Sequence, residues 1–371
     1  MKRALLIGLM ILLLPGLAMA ADEITVPTVE YDISQWEQLW QELPGEIKGL
    51  FGGLSPGKLI ENYRQGKEGL FDFDALISAF KSSILDELRG MGALLGIVLA
   101  IGLTDMIIGG REGVGEMLAF CMMGLCVSFV TTAVYEQFTR AKETVEGISR
   151  VTEITSPVMM TLVAACGSAG AAASQPATIL LCNAITNGFK GLLMPLIPIM
   201  CGFTVAAGIT GQGQLKSIAG LIKSLLKWIM GLTFTFFLGS VSIRGLNASG
   251  LDRAGIKAIK YAFDKSVPVV GSMISGTYDS LLAGAVVLKN AAGTAAVLLL
   301  ILNIMTPALA MLSTIFALRI MAVLSSLLAD GRVAGILEGA ADSCTYMFAV
   351  MVTVALMNLI TISASLIASG V

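Results

Sequence analysis

From Met91 to the end of the chain, one long apolar stretch follows another with few charges between them. Stretches near 91–108, 113–135, 154–174, 177–207, 228–246, 291–308, 310–328 and 343–367 are each long enough to cross a hydrocarbon layer about 30 Å thick as an α-helix. Charged residues make up only 13% of the 371 residues and mean hydropathy is +0.84. Soluble domains carry about 25% charged residues, so this chain lacks the means to cover a water-facing surface. The expected fold is all-α: a polytopic helical membrane protein with about eight spans over 91–371.

The first twenty residues read as a signal peptide. Lys2 and Arg3 supply the charge, Ala4 to Leu14 the apolar core, Pro15-Gly16 a break, and Ala18-Met19-Ala20 a small-x-small cleavage site. The apolar run is too short for an anchor helix, so the residues that follow are expected to start outside the cytoplasm. Residues 21–90 then hold 13 of the 26 acidic residues. Ile33, Trp36, Trp40 and Leu43 line one helical face, and Phe73, Leu76, Ile77, Phe80, Ile84 and Leu88 line another. Such short amphipathic helices cannot bury enough surface to stand as an independent domain. They are expected to lie on the membrane, on the rest of the chain or on a partner.

Two polar stretches interrupt the apolar ones. Residues 136–153 form a charged amphipathic stretch between the second and third spans. Residues 215–228 put Lys216, Lys223 and Lys227 on one face, as an interfacial helix would. With eight spans, Arg111, Arg244, Arg253, Lys257, Lys260, Lys265, Lys289 and Arg332 fall inside the cell, which the positive-inside rule favours. Splitting 177–209 into two half-length helices turning near Lys190, a break that Pro195 and Pro198 would favour, would instead move most of that basic set outside.

Chemical motifs fail one at a time. Histidine is absent, which removes Ser-His, Cys-His and His-metal sites. The six cysteines lie in apolar stretches without a C-x-x-C, so no metal or disulfide framework is expected. Residues 52–58 match most of a phosphate-binding loop, but Leu59 stands where a hydroxyl must hold Mg²⁺. Tyr278-Asp279 matches half of an intramembrane aspartyl protease site, and Gly102-Leu103-Thr104-Asp105 does not supply the other half. No catalytic residue and no cofactor is expected. A net charge of −2 argues against a nucleic-acid binder.

Ionisable and small residues inside the apolar stretches are better candidates. Lys190 is a candidate for lining a pathway, with a side chain snorkelling at a helix break as the plainer account. Ala165/Ala169/Ala173, Gly92/Gly96 and Gly331/Gly335/Gly339 recur at steps of four, a spacing that lets helices approach closely in lipid.

One segment carries a family resemblance. Gly255-Ile256-Lys257-Ala258-Ile259-Lys260-Tyr261-Ala262-Phe263-Asp264-Lys265-Ser266-Val267-Pro268-Val269-Val270-Gly271 is followed by Val287-Leu288-Lys289-Asn290-Ala291-Ala292-Gly293. This resembles the stage III sporulation protein AE family of endospore-forming bacteria. A signal peptide, a polar exported segment and a multi-span region agree with it along nearly the whole chain. The resemblance implies a component of the channel complex between mother cell and forespore, in the mother-cell membrane around the forespore. It also implies partners: a secretion-ATPase-like protein, ring-forming membrane proteins of the same operon, and a forespore-side protein.

From the residues themselves, Arg253, Lys257 and Lys260 form one helical face with Asp264 one turn on. Pro268 ends that helix, Gly271 permits a turn, and Lys289-Asn290 is placed to anchor the sixth span. These are the candidate docking residues, for a cytosolic partner or anionic lipid; an ordinary positive-inside loop explains them equally well. Two function classes stand: a platform or pore subunit of a secretion-type channel, and a stand-alone small-molecule permease. A permease is expected to show broken helices in two matching halves. Only the Pro195/Pro198 region and Pro307 offer breaks, at unmatched positions, so the channel subunit is preferred.

Overall fold

A computed structural model describes residues 114–166, 169–266, 271–328 and 331–367, with a few positions between Gln41 and Ala100. The expected signal peptide, most of the acidic segment and most of the first expected span lie outside the described residues. Within them the chain is helical: α1 (Val114–Ala165), α2 (Ala169–Gly188), a π-helical turn (Phe189–Leu193), α3 (Met194–Thr210), α4 (Gly213–Ser266), α5 (Gly271–Leu328) and α6 (Gly331–Ile367). Five helical stretches are long and apolar enough to cross a membrane: Phe120–Ala165, Gln175–Thr210, Gly213–Ile243, Ala295–Leu327 and Gly331–Leu366. The all-α polytopic reading holds.

The spans differ from the sequence expectation in four places: the expected span 154–174 is divided between α1 and α2, and the other three differences share one reason. In lipid, a chain that leaves the helix must find partners for several backbone groups at once, so continuing costs less than turning. The stretches 291–308 and 310–328 therefore form one helix, α5, which runs through Pro307. The charged stretch 136–153 does not separate two spans but is the middle of α1. The lysine-bearing stretch 215–228 does not lie apart as an interfacial helix but opens α4. The chain also passes from α2 to α3 without reversing, which removes the split-hairpin layout for 177–209. Pro195 and Pro198 lack the N–H groups that would bond to the carbonyls four residues earlier. The helix absorbs that loss as a widened turn at Phe189–Leu193.

Gly211, at φ 68°, ends α3 in the left-handed conformation and donates its N–H to the Ala207 carbonyl at 2.9 Å. It makes the tight reversal into α4.

The core forms around α6, which packs against α1, α2, α3, α4 and α5. Val350, Met351, Val354, Met347 and Cys344 of α6 are fully enclosed. Lipid supplies no hydrophobic drive between helices, so polar pairs and close approach hold the bundle together. Gln137 of α1 donates to Thr314 of α5 at 2.8 Å, Thr152 of α1 to Asn358 of α6 at 2.6 Å, and Gln175 of α2 to Ser365 of α6 at 2.6 Å. The small-residue stripes contribute unevenly. A side chain at Gly339 would run into Thr204, and one at Gly208 into Ile336, so α3 and α6 meet through a glycine from each. Gly92, Gly96, Gly331 and Gly335 have nothing among the described residues within 4 Å of where a Cβ would sit, and Ala165 is exposed.

Candidate functional site: a charged helix face beside the apolar spans

Seven charged residues sit on the outer side of α1. Glu136, Arg140, Lys142, Glu143, Glu146, Arg150 and Glu153 are all exposed. At 100° per residue they fall within about 160° of arc. The opposite side, with Gln137, Ala141, Thr144, Val145, Ile148, Val151 and Thr152, is buried against the bundle. The sequence dictates this division, because the charges and the apolar or hydroxyl residues alternate at the helical period. Thr144, Ser149 and Thr155 turn their hydroxyls back onto carbonyls of the preceding turn, so they are satisfied without water.

The depth of this face follows from its neighbours. Helix α5 carries no charged residue over 290–318, about 43 Å of helix, and α6 carries none from Ser343 onward. Gln137 lies beside Thr314, Gly147 lies against Asn303 with 2.8 Å between a built Cβ and the amide oxygen, and Thr152 lies beside Asn358. Asn303 is next to the midpoint of 290–318. All seven charges of α1 are therefore level with the uncharged part of α5, and Glu143, Glu146 and Arg150 are near its middle.

Lys190 belongs to the same site. The π turn presents it to α1, where its ammonium lies 3.4 Å from Glu146, both partly exposed. The pathway candidate thus has an acidic partner at the same depth. Four acids (Glu136, Glu143, Glu146, Glu153) and four bases (Arg140, Lys142, Arg150, Lys190) make the face neutral in sum.

A second ionic group marks one border of the bundle. Asp342 of α6 takes Arg319 of α5 on one oxygen at 3.1 Å and Lys223 of α4 on the other. These are the last charges before the uncharged parts of α5 and α6 begin. At the other border, Lys289 of α5 is fully buried and donates to the Leu366 carbonyl of α6 at 2.6 Å. Lys289 is thus a clasp between helices and not a surface anchor; its neighbour Asn290 is partly buried. Arg253, Lys257, Lys260 and Asp264 occupy the last turns of α4, which continues as helix to Ser266. Arg253 is about 45 Å further along α4 than Lys223, beyond Ile243, where the apolar stretch of α4 ends. Pro268 lies outside the described residues, and Gly271 opens α5.

Between α1, α2 and α6 there is a small pocket lined by Thr155, Ser156, Gln175, Thr361 and Ser365 together with Met159, Ile179 and Ile362. The Gln175 side-chain oxygen is buried there without a hydrogen-bond partner among the described residues. Glu146, Lys223, Arg319 and Asp342 were not legible as site residues, because each gains its meaning from a partner on another helix.

Helices of this length, a bundle held by buried polar pairs and charges at its borders define a polytopic α-helical membrane protein. The family model of stage III sporulation protein AE matches residues 54–369. The chain belongs to the stage III sporulation protein AE family. Among curated relatives, the stage III sporulation protein AE of Bacillus subtilis (strain 168) is 22% identical over 333 residues, which is 88% of this chain and 83% of that protein. No solved structure matches the chain.

Proposed function

We propose that this chain is a membrane subunit of a secretion-type channel complex between mother cell and forespore, needed for forespore development after engulfment. Its family ties it to sporulation, and its helices to a membrane. The observation that carries the choice over a stand-alone permease is the position of the charged face. A permease working alone holds its ionisable residues in the bundle interior, around a central site. Here they lie on the outside of α1, which suits a subunit whose polar side is completed by something else. The reading places the protein in the mother-cell membrane around the forespore and assigns it no catalytic role. Its partners are a secretion-ATPase-like protein, ring-forming membrane proteins and a forespore-side protein.

The basic end of α4 is the proposed docking element. Three like charges spaced along a helix set up a local field, and reversing them turns attraction to an acidic partner into repulsion. Changing Arg253, Lys257 and Lys260 together to Glu is expected to leave the protein inserted at normal level and to arrest spore development after engulfment. Fluorescent membrane staining and heat-resistant spore counts read the outcome. Normal counts at normal protein level would remove the docking role. Normal counts in a strain lacking the protein altogether would remove the channel reading.

A further inference from the structure

We infer that the charged face of α1 borders a water-filled passage formed between copies of this chain. An ionised side chain near the middle of a bilayer is costly even with local adjustment. A face with Glu143, Glu146 and Arg150 near the middle of the uncharged layer, flanked by Arg140, Lys142 and Glu153, does not rest against lipid. Spacing at four residues lets Glu136 meet Arg140 and Glu146 meet Arg150, which lowers the cost without removing it. The outer surface of α4 at the same depth has the opposite character. On α4, Leu221, Leu225, Trp228, Leu232 and Phe236 are exposed, and this is the side suited to lipid.

The face points away from the bundle, and no other element among the described residues covers it. A second copy brings the same face at the same depth, and four acids against four bases leave no net repulsion between them. Neutral in sum but charged in detail, such a wall holds water and discriminates little by the sign of what passes. Within it, the Lys190–Glu146 pair ties the π turn of the α2–α3 unit to α1.

This deepens the channel reading and rests on it only for the biological setting. The test uses the purified full chain, with its six cysteines replaced, in phosphatidylcholine–phosphatidylglycerol vesicles. Glu143→Cys and Lys142→Cys are compared with Phe236→Cys, which lies at a similar depth on α4. A membrane-impermeant maleimide carrying a sulfonate is the probe. It reacts with the thiolate, and a thiol in lipid has its pKa raised by two units or more, so roughly a hundredfold faster reaction is expected at Glu143→Cys and Lys142→Cys. Light scattering in detergent should give the labelled protein the mass of several copies. Equal, slow reaction at all three positions would overturn the passage. Fast reaction in a protein that is a monomer would overturn its formation between copies. Neither outcome bears on spore counts, so this inference and the channel reading fail separately.

Discussion

Gly339→Ala lowers the temperature at which half the protein remains soluble in detergent, although alanine is the better helix former by about 1 kcal/mol. The loss comes from the crossing of α3 and α6. A methyl group at position 339 meets the methyl of Thr204 and lies 2.8 Å from its Cβ. Rotating the Thr204 side chain moves the methyl but not the Cβ, so the two helices must separate. Forcing extra carbon into a packed contact costs about 1–3 kcal/mol, and the separation also loosens Gly208 against Ile336 in the same interface. Gly339→Leu is expected to prevent stable accumulation. Gly335→Ala, one turn earlier with nothing among the described residues within 4 Å of the new carbon, is expected to be as stable as the original or slightly more so. Joining Thr204→Gly to Gly339→Ala restores room and recovers most of the loss, the sign of direct coupling. If Gly339→Ala matched Gly335→Ala, the close crossing of α3 and α6 would be wrong.

The membrane class and the helical fold were legible because both rest on composition and run length, which need no tertiary knowledge. The helix count was less so. Pro307 reads as a breaker in sequence, but in lipid one missing N–H is a smaller loss than the open backbone of a reversal, and α5 continues. The stretch 136–153 shows why averages mislead. Its charges make it look like a connector, while their period puts every one on a single face and leaves Gln137, Thr144 and Thr152 to pair or back-bond on the other. Lys190 stood out as a charge in an apolar run, but its partner Glu146 is set by the packing of the π turn on α1 and has no local signature. Lys289 read as an interfacial anchor from its place before a span. Its burial depends on the last turn of α6 reaching it, which no local pattern reveals.

The lone acid of the border group sets the second large effect. Asp342→Arg is expected to cut the amount of folded protein in the membrane more than any other single change at this border. The carboxylate holds Arg319 and Lys223 from two other helices. Asp342→Asn removes the charge and leaves two cations sharing one place, which partial exposure of all three groups softens to about 1 kcal/mol. Asp342→Arg replaces two attractions with two repulsions, so the effect is roughly doubled, and α4, α5 and α6 are pushed apart where the uncharged layer begins. Raising salt should narrow the gap between the Asn and Arg variants, since exposed charges are screened within a Debye length of about 8–10 Å at ordinary ionic strength. Exchanging the signs tests the contact itself. Lys223→Asp combined with Asp342→Lys rebuilds the pair between α4 and α6 and is expected to recover folded protein beyond either single change, measured by fluorescence-detected size exclusion. Failure of the exchange to recover anything would mean that α4 does not meet α6 through this pair, and the packing of α4 on the bundle would have to be redrawn.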